Sequence, residues 1–233
     1  MNFSSVKRMY IQVNGQTEEV KKVEDANGVV LWKKASRLPA EYQEVEYIQN
    51  SRNDGLNQYI DTGCTLTTNA RAVVTEEQDV ITQYTWQEHG VSGNDSFAFG
   101  TYGNNIYYAV NSSDIDTHVA FPFGTKLTHD LNAYSGYYSA YNEVTKTELF
   151  RDNNLASFIG SSKSFWLFRY HGGGQHFTYS KLYSAQIYDG TTLLRDLVPC
   201  YRKLDSKPGL YDLVNDVFYT NAGSGEFTVG SDV

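Results

Sequence analysis

The chain has 233 residues, of which 40% are hydrophobic and 15% aromatic, 19 tyrosines among them, and its formal net charge is −8 at pH 7. That length suits one β-sandwich with a small appendage, and aromatic-rich composition suits pleated, half-buried sheets. The acidic balance, with no basic run beyond the pairs Lys7-Arg8, Lys21-Lys22 and Lys33-Lys34, excludes nucleic acid as an expected partner, and no apolar stretch is long enough to predict a membrane span.

In chain order, Met1 to Ser5 lacks the apolar core of a secretory signal, which predicts a soluble protein made in the cytoplasm. Met9–Val13, Glu18–Val23 and Val29–Trp32 then read as three short strands of a β-meander, turned at Asn14-Gly15 and Asn27-Gly28, residues that tolerate positive φ. A unit spanning 1–36 holds little core, so it is expected to borrow burial from a partner chain or from the main domain. The pattern breaks over Lys33–Pro39, and the residue before a proline is pushed into extended geometry; the boundary is expected there, with a second unit over 38–233.

After Pro39 come short extended runs at Val45–Gln49, Gln58–Thr62, Ala70–Thr75, Val80–Trp86, Ser96–Tyr102 and Ile106–Val110. They continue through Lys126–Ala133, Gly136–Tyr141, Thr145–Phe150, Phe165–Tyr170, Phe177–Tyr188, Leu193–Val198 and Val217–Thr220. Strands at this spacing, broken by Gly, Asn, Asp and Ser, predict an antiparallel sandwich of about fourteen strands. Leu127–Ala133 is the one segment that also reads as a short helical turn. Strict alternation over Lys181–Tyr188 places Leu182, Ser184, Gln186 and Tyr188 on one face and Tyr183, Ala185 and Ile187 on the other. Asp189-Gly190 and Asn215-Asp216 predict hairpins, and Leu210, Leu213, Val217 and Phe218 are expected to close an edge of the core.

Two strings carry a resemblance. Leu38-Pro39-Ala40-Glu41-Tyr42-Gln43-Glu44-Val45-Glu46-Tyr47-Ile48, followed by Gln58-Tyr59-Ile60-Asp61-Thr62-Gly63, resembles the opening of a family of prophage-encoded tail and virion surface proteins. Lys181-Leu182-Tyr183-Ser184-Ala185-Gln186-Ile187-Tyr188-Asp189-Gly190, then Arg195 to Lys203, Gly209 to Asn215 and Phe218 to Phe227, is similar to that family's C-terminal signature. The resemblance implies an all-β, concanavalin A-like (laminin G-type) jelly-roll sandwich over about Leu38 to Val233, preceded by the small N-terminal meander. It also implies a virion structural protein of the tail, baseplate or capsid, released by lysis. The middle, Thr65 to Ser164, carries no such likeness and is where a receptor-specific surface is expected.

Motifs for chemistry are mostly lacking. Laminarinase-like jelly rolls present Glu-x-Asp-x-x-Glu on one strand face; here Glu77-Gln78-Asp79-Val80-Ile81-Thr82 puts Thr82 where the acid belongs, and the charges read as a solvated turn. Glu44 and Glu46 alternate without a third acid and read as a solvated face. There is no Gly-x-Ser-x-Gly elbow, and His89, His118, His129, His171 and His176 have no metal or base spacing. His171-Gly172-Gly173-Gly174-Gln175-His176 reads as a wide turn. Asp114 and Asp116 fall short of a calcium loop. Cys64 and Cys200 read as free thiols. No enzyme activity, metal or cofactor is expected.

Sugar binding needs aromatic faces with amides or carboxylates beside them. Trp86, Tyr102, Asn104, Tyr107, Trp166, Tyr170 and His171 are the candidates. For attachment to a particle the candidates are Tyr10, Val13, Val29, Leu31 and Trp32. The expected partners are other virion proteins, further copies of the chain (a trimer) and a host-surface glycan bound through many weak copies. A free lectin-like module and a degenerate glycoside hydrolase are the rival readings.

Overall fold

The computed structural model describes residues 9–13, 16–20, 22–24, 30–33, 37–50, 57–79, 86–171 and 179–233, with the side chains of 13, 16–19, 22, 24, 30–33 and 86–88 outside the description. Every regular element among them is a β-strand. Strands β1 (Met9–Val13) and β2 (Gln16–Val20) form one antiparallel hairpin, and β3 (Lys22–Glu24) and β4 (Val30–Lys33) form another, each a two-stranded sheet of its own. The expected three-stranded meander is therefore two hairpins: the run Glu18–Val23 divides between β2 and β3, which belong to different sheets.

The next strands are β5 (Tyr42–Glu44), β6 (Ile48–Gln49), β7 (Ile60–Leu66), β8 (Ala70–Gln78), β9 (Trp86–Val91), β10 (Ser96–Tyr102), β11 (Asn105–Asn111), β12 (Ser113–Ala120), β13 (Leu127–Asn132), β14 (Tyr137–Asn142) and β15 (Thr147–Asp152). They continue with β16 (Ser161–Leu167), β17 (Tyr170–His171), β18 (Ser180–Asp189), β19 (Thr192–Arg202), β20 (Lys207–Asp212), β21 (Val217–Tyr219) and β22 (Thr228–Val229). One sheet runs β12-β11-β10-β9-β16-β7, with β17 beside β9; the other runs β15-β14-β13-β8-β18-β19-β20-β21, with β5, β6 and β22 joined to it.

Period-two alternation fixes which side chains enter the core. In β8, Ala70, Ala72, Val74, Glu76 and Gln78 are buried while Arg71, Val73, Thr75 and Glu77 are half-buried on the outer face. Between the sheets lie Phe97, Phe99, Phe165, Phe168, Leu127, Leu131, Tyr138, Leu182, Ile187 and Leu210, each large side chain contributing about 2 kcal/mol by leaving water. Leu127–Asn132 is strand, not helix, because Leu127, His129 and Leu131 all point inward.

Two sequence patterns fail locally. A register shift between Leu182 and Ser184 puts both Leu182 and Ala185 in the core, so strict alternation through Lys181–Tyr188 breaks at a bulge, where an extra residue resets the faces. Val217 is 40% exposed; Leu210 enters the core and Leu213 and Phe218 pack on a satellite cluster of Leu38, Val198, Cys200 and Tyr211. Gly190 turns the β18–β19 hairpin at φ +59° and Asp216 sits at φ +55° beyond β20, as Asp189-Gly190 and Asn215-Asp216 lead one to expect. Cys64 and Cys200 are buried, unbonded thiols; burial pushes Cys200 up to about 12.

The two recognisable strings meet in space. Val45 N–H donates to Pro199 O (3.0 Å), Glu46 N–H to Ser231 O (2.9 Å) and Gly230 N–H to Tyr47 O (2.9 Å). Tyr59 N–H donates to Asn221 Oδ1 (3.0 Å), Asn57 N–H to Ser224 Oγ (3.0 Å), and the Gln58 amide to Glu226 O.

Candidate functional site

The ladder registers bring most of the candidate aromatics to one surface. Across the smaller sheet, one outward row reads Asp61, Trp166, Gly90, Ala98, Ala109 and Asp114. The next row places position 88, Gly100, Tyr107 and Asp116 side by side, and the third places position 86 opposite Tyr102 and Tyr102 opposite Asn105. Glycine and alanine thus form the centre of this face, with larger residues on either side.

Most of those aromatics are closed to a ligand. Tyr59 stacks on the Trp166 ring at 4.2 Å and His171 at 4.1 Å; two rings that near one centroid cannot share a face, so both faces of the indole are taken. The indole N–H donates to Ser164 Oγ (3.2 Å). Tyr107 is 2% exposed and Tyr170 9%, and the Tyr107 hydroxyl donates to Asp114 Oδ1 (2.6 Å). Tyr102 is half-buried, packed on Ala98, Tyr107 and Ala109. Asn104 is exposed in the β10–β11 turn. The Trp86 side chain and residues 172–178 lie outside the described residues. Of the predicted platform, Trp166, Tyr107 and Tyr170 are therefore packing residues, which leaves Tyr102, Asn104 and the edge of His171 at the surface.

The attachment candidates lie on the two N-terminal hairpins. Tyr10 is 52% exposed on β1, Val13 ends the same strand, Leu31 and Trp32 lie in β4, and Val29 lies outside the described residues. Among the described residues no group of three or more His, Cys, Asp or Glu could hold a metal ion. Asp116 accepts from Asn105 (3.1 Å) and from His118 N–H (2.8 Å).

The other sheet carries a cavity that sequence reasoning missed. It measures about 210 Å³ and is lined by Arg37, Glu44, Glu46, Lys126 and Tyr183, with Val45, Val198, Pro199 and Val233 as its apolar wall. At a water's share of roughly 30 Å³, that is room for about seven waters, the scale of one sugar ring. Strand β18 supplies Tyr183, and the turn between β5 and β6 supplies Val45 and Glu46.

The Lys126 ammonium lies 3.5 Å from the Tyr183 ring centroid, and Tyr47 meets the same ring edge-on at 5.5 Å. The Tyr183 hydroxyl donates to Glu77 Oε2 (3.0 Å), whose other oxygen accepts from Lys181 Nζ (2.6 Å). Burial and then the Glu77 hydrogen bond push the Tyr183 phenol well above its usual range, and the Glu77 bond raises Lys181. Both groups therefore keep their protons at neutral pH.

Arg37 reaches Glu44 Oε1 at 3.3 Å, whereas the carboxylate of the half-buried residue Glu46 has no hydrogen bond or ion pair among the described residues. Two expectations are corrected here. Glu77 is a bonded strand residue rather than part of a solvated turn, and Glu44 and Glu46 line a concavity rather than a solvated face. The signal was present in the sequence as Glu44 and Glu46 beside Tyr47, but only the pairing of β5 with β19 and of β6 with β18 brings them to Tyr183.

No protein-family model matches the chain, and no curated protein sequence does. Among solved structures the chain is similar to a putative carbohydrate binding protein from Bacteroides ovatus, with TM-score 0.56 and 11% identity over 92% of this chain and 67% of that one. It is also similar to a native heptameric SAP-like pentraxin from Limulus polyphemus, with TM-score 0.50 and 12% identity over 81% of this chain and 95% of that one. The fold is the concanavalin A-like jelly roll. On that jelly roll the cavity at Tyr183 combines an aromatic ring, carboxylates and two cations.

Proposed function

We propose that this jelly roll is a lectin-like, non-enzymatic domain displayed on a bacteriophage virion, where it holds one sugar of a host-surface glycan in the cavity at Tyr183. The observation that carries this reading is the Glu46 carboxylate, on a half-buried residue and without a hydrogen-bond partner among the described residues, which opens into a cavity it shares with Lys126, Arg37 and Tyr183. An ionised carboxylate accepts from two vicinal hydroxyls, while an ammonium and a guanidinium donate to ring and glycosidic oxygens. The virion role rests on the likeness of the Leu38–Gly63 and Lys181–Phe227 strings to phage surface proteins. In it, the two hairpins before Arg37 attach the domain to other virion proteins, with three copies assembling so that weak sites act together.

The test is a glycan array followed by calorimetry with the sugar that scores. Glu46→Gln is expected to weaken binding about tenfold, the value of roughly 1.4 kcal/mol, with Lys126→Ala similar; a variant that binds as the parent does removes the cavity from the reading. Electron microscopy of purified particles tests the virion claim. A chain absent from particles that still binds sugar is the free lectin-like module instead.

A further inference from the structure

The centre of the sandwich contains a carboxylate that the glycan reading does not use. Glu76, on β8 of the larger sheet, is 0% exposed, as are Gln78, His89 on β9 of the smaller sheet and His129 on β13. His89 Nε2 lies 2.8 Å from Glu76 Oε2, the Gln78 amide donates to Glu76 Oε1 (2.7 Å), and His129 Nε2 stands 3.5 Å from that same oxygen.

The ring protons can be placed from the partners. Phe168 N–H donates into His89 Nδ1 (2.9 Å), so the one proton of a neutral His89 sits on Nε2 and points at Glu76. This same bond holds Phe168, a buried non-glycine at φ +66°, in a region that L-residues seldom occupy. His129 Nδ1 is 2.8 Å from the Tyr138 hydroxyl; a Tyr138 O–H donating into Nδ1 leaves the His129 proton on Nε2, facing the carboxylate. Glu76 is then an anion bonded by His89 from one sheet and Gln78 from the other, with no full cation in contact among the described residues.

Among the described residues, the other elements packed here bring neutral groups, with one carboxylate, Asp152, a step further out behind Tyr108. Phe99 of β10 stacks on His129 at 5.3 Å and Phe121 stacks at 6.0 Å, Thr101 of β10 is buried beside them, and Tyr138 of β14 and Tyr108 of β11 close the far side, with Tyr108 bound to Asp152 of β15.

We propose that Glu76, His89 and His129 form an acid-sensitive pin between the two sheets, locked at neutral pH and released when protons are supplied. A second proton on His89 has no acceptor, since its Nδ1 already faces an N–H, and protonating Glu76 removes the anion that His89 and Gln78 bond and that His129 Nε2 faces at 3.5 Å. The electrostatics of the cluster point the same way. Burial, opposed by the Glu76 charge, pushes the His129 imidazole from 6.5 down to about 4. Burial raises Glu76, but the electrostatic pull of the His89 Nε2–H and its hydrogen bond, with His129 and Gln78, outweigh it and hold the carboxyl below its ordinary value. A histidine whose folded value is lowered binds fewer protons folded than unfolded between about 6.5 and 4, so stability falls as pH falls through that window. Glu76, also lowered, adds loss in the same direction below its unfolded value. His129 alone shifts the folding equilibrium by up to about 300-fold across the window.

The experiment is the pH dependence of denaturant unfolding of the full chain from about pH 7.5 to 4.5, for the parent and His129→Gln, together with 15N ring spectra of the parent histidines. The expected results are a steep parent slope, a shallower slope in His129→Gln, a His129 ring that stays neutral in the native state down to about pH 5, and His89 as the Nε2–H tautomer. Equal slopes, or a native His129 ring that titrates at its ordinary value, overturn the proposal. The spectra decide it even where the variant does not fold.

Discussion

The ends of the chain and its middle use polar groups in opposite ways. Residues 37–63 and 180–233 turn side-chain oxygens and amides onto each other's backbone: Asn221 caps Tyr59 N–H, Ser224 accepts from Asn57 N–H, and Asp212 gathers the hairpin around it. The middle instead puts Glu76, His89 and His129 between the sheets, where Glu76 bonds His89 and His129 bonds Tyr138 rather than the backbone ladder, the Phe168 N–H on His89 excepted. A polar group that satisfies local backbone stabilises one geometry, whereas a buried ionisable cluster makes stability depend on the solvent's protons. The strings that resemble a phage signature are thus the parts that close the jelly roll, and they also build the Tyr183 cavity.

The contrast is tested most severely at Asp212. Its carboxylate, 0% exposed, accepts from Asp196 N–H (3.0 Å), Val214 N–H (3.0 Å) and Asn215 Nδ2 (2.8 Å), and faces Arg195 Nε at 3.5 Å. Asp212→Ala leaves two backbone donors and a cation without their acceptor, which is expected to cost about 3–5 kcal/mol, measured by urea unfolding at neutral pH. A loss under about 1 kcal/mol would mean the clasp is decorative.

Gly223 is expected to come next. A Cβ there collides with the Asn57 carbonyl, so Gly223→Ala must push the 221–226 segment off residues 57–59, at about 3 kcal/mol by overpacking. Because Gly223 lies outside the titrating cluster, its loss is expected to be the same at about pH 7 and pH 5.5, and a pH-dependent loss would show that ends and middle are coupled.

The sequence disclosed the sandwich and the Asp189-Gly190 and Asn215-Asp216 turns because each is a local pattern of alternation or turn chemistry. It missed what depends on pairing. Trp166 reads as an exposed platform until β16 is set between β7 and β9, when Tyr59 and His171 cover it. Glu76 is indistinguishable from its neighbour Glu77 in sequence, yet one side of a strand faces His89 and the other faces Lys181. The bulge at Leu182–Ser184 leaves no mark that alternation can detect, since it adds a residue to one strand only. Glu46 shows the same limit: its cavity is closed by Tyr183 and Val198, far along the chain.

The smallest effect is expected on the outer face of the middle. Arg71 forks onto Asp130 at 2.9 and 2.8 Å, with Tyr137 O–H donating to the same carboxylate (2.6 Å) and the guanidinium 5.0 Å from the Tyr188 ring. The Asp130 hydrogen bond raises Arg71 further above its already high value, against the opposing effect of burial, so the guanidinium stays charged at every pH at which the domain is folded. The two side chains remain 31% and 15% exposed, however, so water screens the pair and Arg71→Ala is expected to cost only about 1 kcal/mol. Because the attraction is screened further by ions, the difference from the parent should shrink as salt rises from about 0.05 to 0.5 M, while the loss in Asp212→Ala, caused by a buried carboxylate and its backbone donors, should stay constant. An Arg71→Ala loss as large and as salt-independent as that at Asp212 would erase the distinction between a surface that is merely paired and a clasp that is buried.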